Sequence, residues 1–133
     1  MLKGFELQTH GLTEYELKEV IPILARGFSL RIGKGKAITS FAVSKILTDK
    51  YGLKIINESR IRKMIHFIRD TGLVPKLIAT SKGYWVATSK KELEDWRDSL
   101  SGRIKAIEDI LIYAELQIKE WENPTKQQQQ QLF

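Results

Sequence analysis

The chain contains no cysteine, which excludes disulfides, thiolate metal ligands and thiol nucleophiles. Histidine is nearly as scarce. His10 and His66 stand far apart with no paired motif beside them, so a zinc site is not expected. No uninterrupted apolar run approaches the ~18 to 20 residues that a membrane span needs. The opening Met1-Leu2-Lys3-Gly4-Phe5 lacks the long apolar region of a secretory signal. A cytoplasmic protein without a membrane partner is therefore expected. The only glycine-lysine cluster, Gly33-Lys34-Gly35-Lys36, has too few residues and the wrong spacing for a phosphate-binding loop. The acidic groups Glu92-Leu93-Glu94-Asp95 and Glu108-Asp109 lie at helical spacing among Lys and Arg, and read as a solvated face. No catalytic constellation emerges, and neither an enzyme nor a cofactor is expected.

What is present is a 133-residue chain, 42% hydrophobic, long enough for one compact domain and an appendage. Its charge is unevenly spread. Residues 40–90 hold ten Lys/Arg against three Asp/Glu, whereas residues 91–133 hold six against nine. A basic middle third attracts phosphate polyanions and speeds encounter with them.

The pattern along the chain predicts a mainly α fold with a small β-hairpin. Thr13-Glu14-Tyr15-Glu16 has the form of a capping box. Leu17, Val20, Ile21, Leu24 and Phe28 follow at helical spacing, with Pro22 forcing a kink or a late start. After a short extended piece, Thr39 or Ser40 caps a second helix that buries Phe41, Val43, Ile46 and Leu47 and ends at Gly52. Asn57 caps a third, with Ile61, Met64, Ile65 and Ile68 on its apolar face and Gly72 at its end. A strand from Leu73 to Thr80, the turn Ser81-Lys82-Gly83 and a strand Tyr84-Trp85-Val86-Ala87 make a hairpin, with Pro75 marking an edge. Ser89-Lys90-Lys91-Glu92 then opens a helix of about residues 90–122, closed by Pro124. Its stripe is Leu93, Trp96, Leu100, Ile104, Ile107, Leu111, Ala114, Ile118 and Trp121. Such a stripe needs cover. It can fold back on the core, pair with a second copy as a coiled-coil homodimer, or do both in different parts, and the pairing direction is left open. The expected organisation is a domain over 1–88, the long helix over 89–123 and a disordered Gln-rich tail over 124–133.

Helix, turn, helix, two-stranded hairpin is the order of a winged helix-turn-helix. Ser59-Arg60-Ile61-Arg62-Lys63-Met64-Ile65, then Ile68-Arg69-Asp70-Thr71-Gly72-Leu73-Val74-Pro75, then Ser81-Lys82-Gly83-Tyr84-Trp85 resembles winged-helix proteins of bacterial phages and prophages. In those, a recognition helix ending in Leu-Arg and a glycine precedes a wing closing on Gly-Tyr. Here Ile68-Arg69 replaces Leu-Arg, and Trp85 takes a place often filled by Tyr. The resemblance covers about residues 37–90 and implies binding of double-stranded DNA, in transcription control or replication. A helix fits the major groove, and residues near its start lie closest to the bases. Asn57, Ser59, Arg60, Arg62 and Lys63 are the expected contacts there. Lys82 is expected at the wing tip, with Lys45 and Lys54 on phosphate. Arg62 has an alternative partner in an acidic residue of the long helix.

The closing Gln129-Gln130-Gln131-Leu132-Phe133 resembles the short peptide by which bacterial replication and repair proteins bind the sliding clamp. Gln129, Leu132 and Phe133 match in register, while Gln130 stands where leucine is usual. A leash of this kind offers two apolar anchors to a pocket and a glutamine to orient them. Two other readings stay open: a clamp-recruited replication accessory factor, and a winged helix used to bind protein, such as an inhibitor of a host protein.

Overall fold

A computed structural model describes residues 11–123. The fold is mainly helical, with one two-stranded antiparallel sheet and a long C-terminal helix. It divides into two compact units, one ending at Leu93 and the other starting at Glu94.

In the first unit the chain enters through the capping box. The Thr13 N–H donates to Glu16 Oε1 at 2.8 Å, and the Glu16 N–H donates to Thr13 Oγ1 at 3.1 Å. A π-helical turn, Glu16–Val20, then leads into helix α1 (Ile21–Ser29). Pro22 has no N–H to donate back to the preceding turn. The ladder widens just before it, where the Ile21 N–H bonds to the Glu16 carbonyl five residues back. In place of the kink or late start expected at Pro22, the chain makes a π turn.

Helix α2 (Ser40–Asp49) starts at the Thr39 cap, whose hydroxyl accepts from the Ala42 N–H. Only Val43 and Leu47, one turn apart, are buried. Phe41 and Ile46, expected on the buried side, are 64% and 36% exposed, because they flank that two-residue line without lying on it. The helix ends at Asp49, before the left-handed Gly52 at φ 63°.

Helix α3 (Glu58–Thr71) is capped by Asn57, whose Oδ1 accepts from the Arg60 N–H at 2.9 Å. Ile61, Met64, Ile65 and Ile68 bury its inner face completely or nearly so. At Gly72, φ 73°, the helix closes with Leu73 N–H on the Ile68 carbonyl and Gly72 N–H on the Arg69 carbonyl.

Strands β1 (Leu77–Thr80) and β2 (Gly83–Val86) form the hairpin, with Ile78 opposite Trp85 and Thr80 opposite Gly83. The first strand begins four residues later than the sequence suggests. Pro75 cannot donate to a ladder and Lys76 stands at φ 65°, so regular pairing starts only beyond them. Preceding segments extend the sheet. Ile38 exchanges both backbone hydrogen bonds with Tyr84, at 3.1 and 2.9 Å, and Ile32 bridges Val86. Trp85 is buried, while Tyr84 packs partly exposed against Phe28, ring centroids 5.8 Å apart.

Helix α4 (Lys90–Glu122) has the bounds that the stripe and Pro124 imply. Its first turn belongs to the first unit. The Glu92 N–H donates to Ser89 Oγ, while the Glu92 carboxylate accepts from the Thr88 N–H, the Thr88 hydroxyl and Trp85 Nε1. These bonds hold the Glu92 carboxyl below its ordinary pKa, the Thr88 donors contributing most. No residue of α4 is buried.

Among the described glycines, Gly83 has the tightest approach. A Cβ there would lie 2.6 Å from the Ile38 carbonyl oxygen, and its φ of 119° strains any side chain. Gly27, inside α1, has open space around it. Gly83→Ala is therefore expected to cost more than about 1 kcal/mol, whereas Gly27→Ala is expected to gain about 0.5–1 kcal/mol. Thermal unfolding followed by circular dichroism reads both, and equal shifts of the same sign would contradict the geometry.

Candidate nucleic-acid interface

With its apolar side fixed inward, α3 must turn another side to solvent. Relative to Ile61, Met64 and Ile68, the opposite stripe is Ser59, Lys63, His66 and Asp70, with Arg62 alongside. Ser59, Arg62 and Lys63 are exposed and lie in the first two turns. The later half of the stripe is internally paired. His66 Nε2 bonds Asp70 at 3.1 Å, and Arg69 reaches His66 Nδ1 at 3.2 Å. The cationic, accessible part of α3 is thus its N-terminal half.

Arg60 has a different setting from the base-edge position expected of it. Its Nε donates to Glu16 Oε2 at 2.8 Å, its terminal nitrogen bonds Glu16 Oε1, and it also reaches the Gly11 carbonyl. This two-pronged contact matches a planar guanidinium to a carboxylate. Glu16 is only 6% exposed, and its charge needs this partner. The reason is rotational: Arg60 sits to one side of the outward stripe, facing the π turn. Arg62 pairs with Glu58 of its own helix, 3.8 Å away on the next turn back. Glu58 in turn accepts from the Ser40 hydroxyl.

The remaining expected contacts divide. Lys45 on α2 and Asn57 line one shallow cleft of about 500 Å³ with Phe41, Ile55 and Glu58. The Asn57 side chain is engaged as the α3 cap. Lys54 lies elsewhere, its ammonium 5.3 Å from the centre of the Tyr15 ring. Lys82 occupies the two-residue hairpin loop and is exposed. Tyr84, behind it on β2, has its phenol pushed above the ordinary pKa by burial, and the positive charges of Arg62 and Arg69 oppose that shift. Strand β2 therefore runs within electrostatic reach of the flank of α3 that carries Arg62 and Arg69. Gln129, Leu132 and Phe133 lie outside the described residues, as does the tail they belong to.

Over residues 11–93 there are sixteen Lys/Arg against seven Asp/Glu. Among the described residues, no three His, Asp or Glu converge as a metal site, and no helix is long and apolar enough to cross a membrane. Sequence reasoning did not foresee the Glu16–Arg60 pair. Glu16 was legible as a capping residue, but nothing local marks a contact across 44 positions. It also missed the exposure of Phe41, at 64%, in the cleft that Lys45 and Ile55 line.

Compared with known proteins, the chain matches no family, no curated sequence and no solved structure.

The Glu16–Arg60 contact makes a pH prediction. The Arg60 hydrogen bonds hold the Glu16 carboxyl below its ordinary value of 4.5, outweighing the opposing effect of burial. A carboxyl with a depressed folded-state pKa stabilises the fold fully above its unfolded value and loses that contribution as pH falls through the folded value. Arg60 is about one-third exposed, so screening limits the contribution to about 1–2 kcal/mol. Glu16→Gln is expected to be less stable than the parent by that amount at pH 7, with the gap closing below pH 4.5. Urea unfolding at pH 7 and pH 3 checks it, and a gap that stays constant with pH would refute the assignment.

Proposed function

We propose that the first unit is a winged helix-turn-helix that binds double-stranded DNA without catalysis, in phage or prophage transcription control or replication. The observation that carries this reading is the setting of α3. Its buried face leaves Ser59, Arg62 and Lys63 outward on the first two turns, in a unit that also carries a hairpin tipped by Lys82 and a large cationic excess. An exposed helix start of this kind suits the major groove, and a short hairpin with a cation suits the flanking backbone or minor groove. The Ile38 bridge to β2 supports the same reading, because it ties the hairpin to the start of α2 and so to the helix pair.

Roles follow from the chemistry. Ser59 and Lys63 reach base edges or phosphate. Arg62 exchanges a loose, exposed pair with Glu58 for a phosphate or a guanine edge. Lys45 and Lys82 grip backbone. Asn57 and Arg60 position α3, one as its cap and the other through Glu16. Lys54 steadies Tyr15 and adds to the field.

The test is binding of a fluorescent random-sequence duplex over a range of salt. Affinity is expected to fall steeply as salt rises, and Lys63→Ala and Lys82→Ala are each expected to reduce the log–log slope by about 1. No binding at low salt would reject the reading and leave a protein-binding winged helix in its place. Within the replication form of the proposal, Gln129, Leu132 and Phe133 recruit a sliding clamp. Deleting Leu132-Phe133 is then expected to abolish clamp binding while leaving duplex affinity unchanged.

A further inference from the structure

Helix α4 carries an exposed apolar line. Ile104, Ile107, Leu111, Ile118 and Trp121 are each more than half exposed. Their spacing has two regimes. Trp96, Leu100 and Ile104 are separated by two consecutive steps of four, which breaks a seven-residue repeat. From Leu100 onward, steps of four and three alternate without error through Ile104, Ile107, Leu111, Ala114, Ile118 and Trp121. Three heptads at this spacing, about 33 Å of helix, give the seam of a coiled coil. The seam residues at the first core position are Ile104, Leu111 and Ile118.

The flanking charges select the partner and its direction. The row after the second core position is Glu108, Glu115 and Glu122, and the row before the first is Arg103, Ile110 and Gln117. In a parallel pair each residue of the second row meets the residue five places on in the other helix. Arg103 of one copy then faces Glu108 of the other, twice by symmetry. In an antiparallel pair like rows meet, and every in-phase alignment sets a glutamate of one copy against a glutamate of the other. Like charges across that flank oppose pairing.

We propose that a second copy of this chain is the occupant of this seam, pairing in parallel and in register over residues 100–121. The inference stands apart from DNA binding. Ile110 sits beside the seam and widens it, while Ile112 and Leu116 remain on the outer side of a two-stranded coil.

Two measurements test it without DNA. Sedimentation equilibrium of the full chain is expected to give a dimer, and Ile107→Asp/Leu111→Asp a monomer with the thermal transition of the first unit retained. A monomeric parent, a trimer or larger assembly, or a dimer that survives the double substitution overturns the proposal. Orientation is read by Leu100→Cys, the sole thiol in a chain without cysteine. In a parallel, in-register pair the two sulfurs meet, and oxidation is expected to link the dimer nearly completely. In the antiparallel alignment that pairs Ile104 with Trp121 they stand roughly 37 Å apart. A dimer that does not cross-link at this position overturns the parallel assignment.

Discussion

The first unit depends on one face of one helix. Ile61, Met64, Ile65 and Ile68 of α3 are removed from water almost completely, and together they fix the rotation of that helix about its own axis. Turning α3 by even one residue step, about 100°, would expose branched side chains worth about 1.5–3 kcal/mol each in burial. That constraint decides every other assignment on the helix. It sends Ser59 and Lys63 outward, swings Arg60 sideways to Glu16, and leaves Arg62 on the flank nearer the hairpin. The cap at Asn57 and the left-handed Gly72 set its length but not its rotation.

Elements whose signals are local were legible in the sequence. The Thr13, Thr39, Asn57 and Ser89 caps, the glycine stop of α3, the hairpin turn and the extent of α4 each rest on residues within a few places of one another. Signals that needed distant neighbours were not. The amphipathic pattern gave α2 a wider buried side than it has, because periodicity shows which residues share a face but not how broadly that face is covered. Phe41 fell outside the cover. The start of β1 was placed too early because Pro75 marks an edge without showing where pairing resumes, and the left-handed Lys76 has no sequence signature. In the candidate site, the residue types were visible, but the division between outward Lys63 and committed Arg60 was not. Both are basic residues near one helix start, and only the fold distinguishes them.

The charge pattern separates along the chain as well. The first unit is rich in cations, whereas residues 94–122 hold four Lys/Arg against eight Asp/Glu. An acidic long helix is a poor surface for a polyanion, whereas the cationic excess lies on the compact unit. Its exposed line of Ile, Leu and Trp is chemically distinct from the polar outer face of α3.

The contact of Gly83 with the Ile38 carbonyl has a consequence for how such sequences diverge. Position 83 is closed to every residue with a side chain, while the neighbouring Ser81 and Lys82 touch no such limit. Drift in descendants of this chain would thus leave a fixed glycine beside a freely varying pair. The charge and shape of the hairpin tip can change without first re-solving the fold.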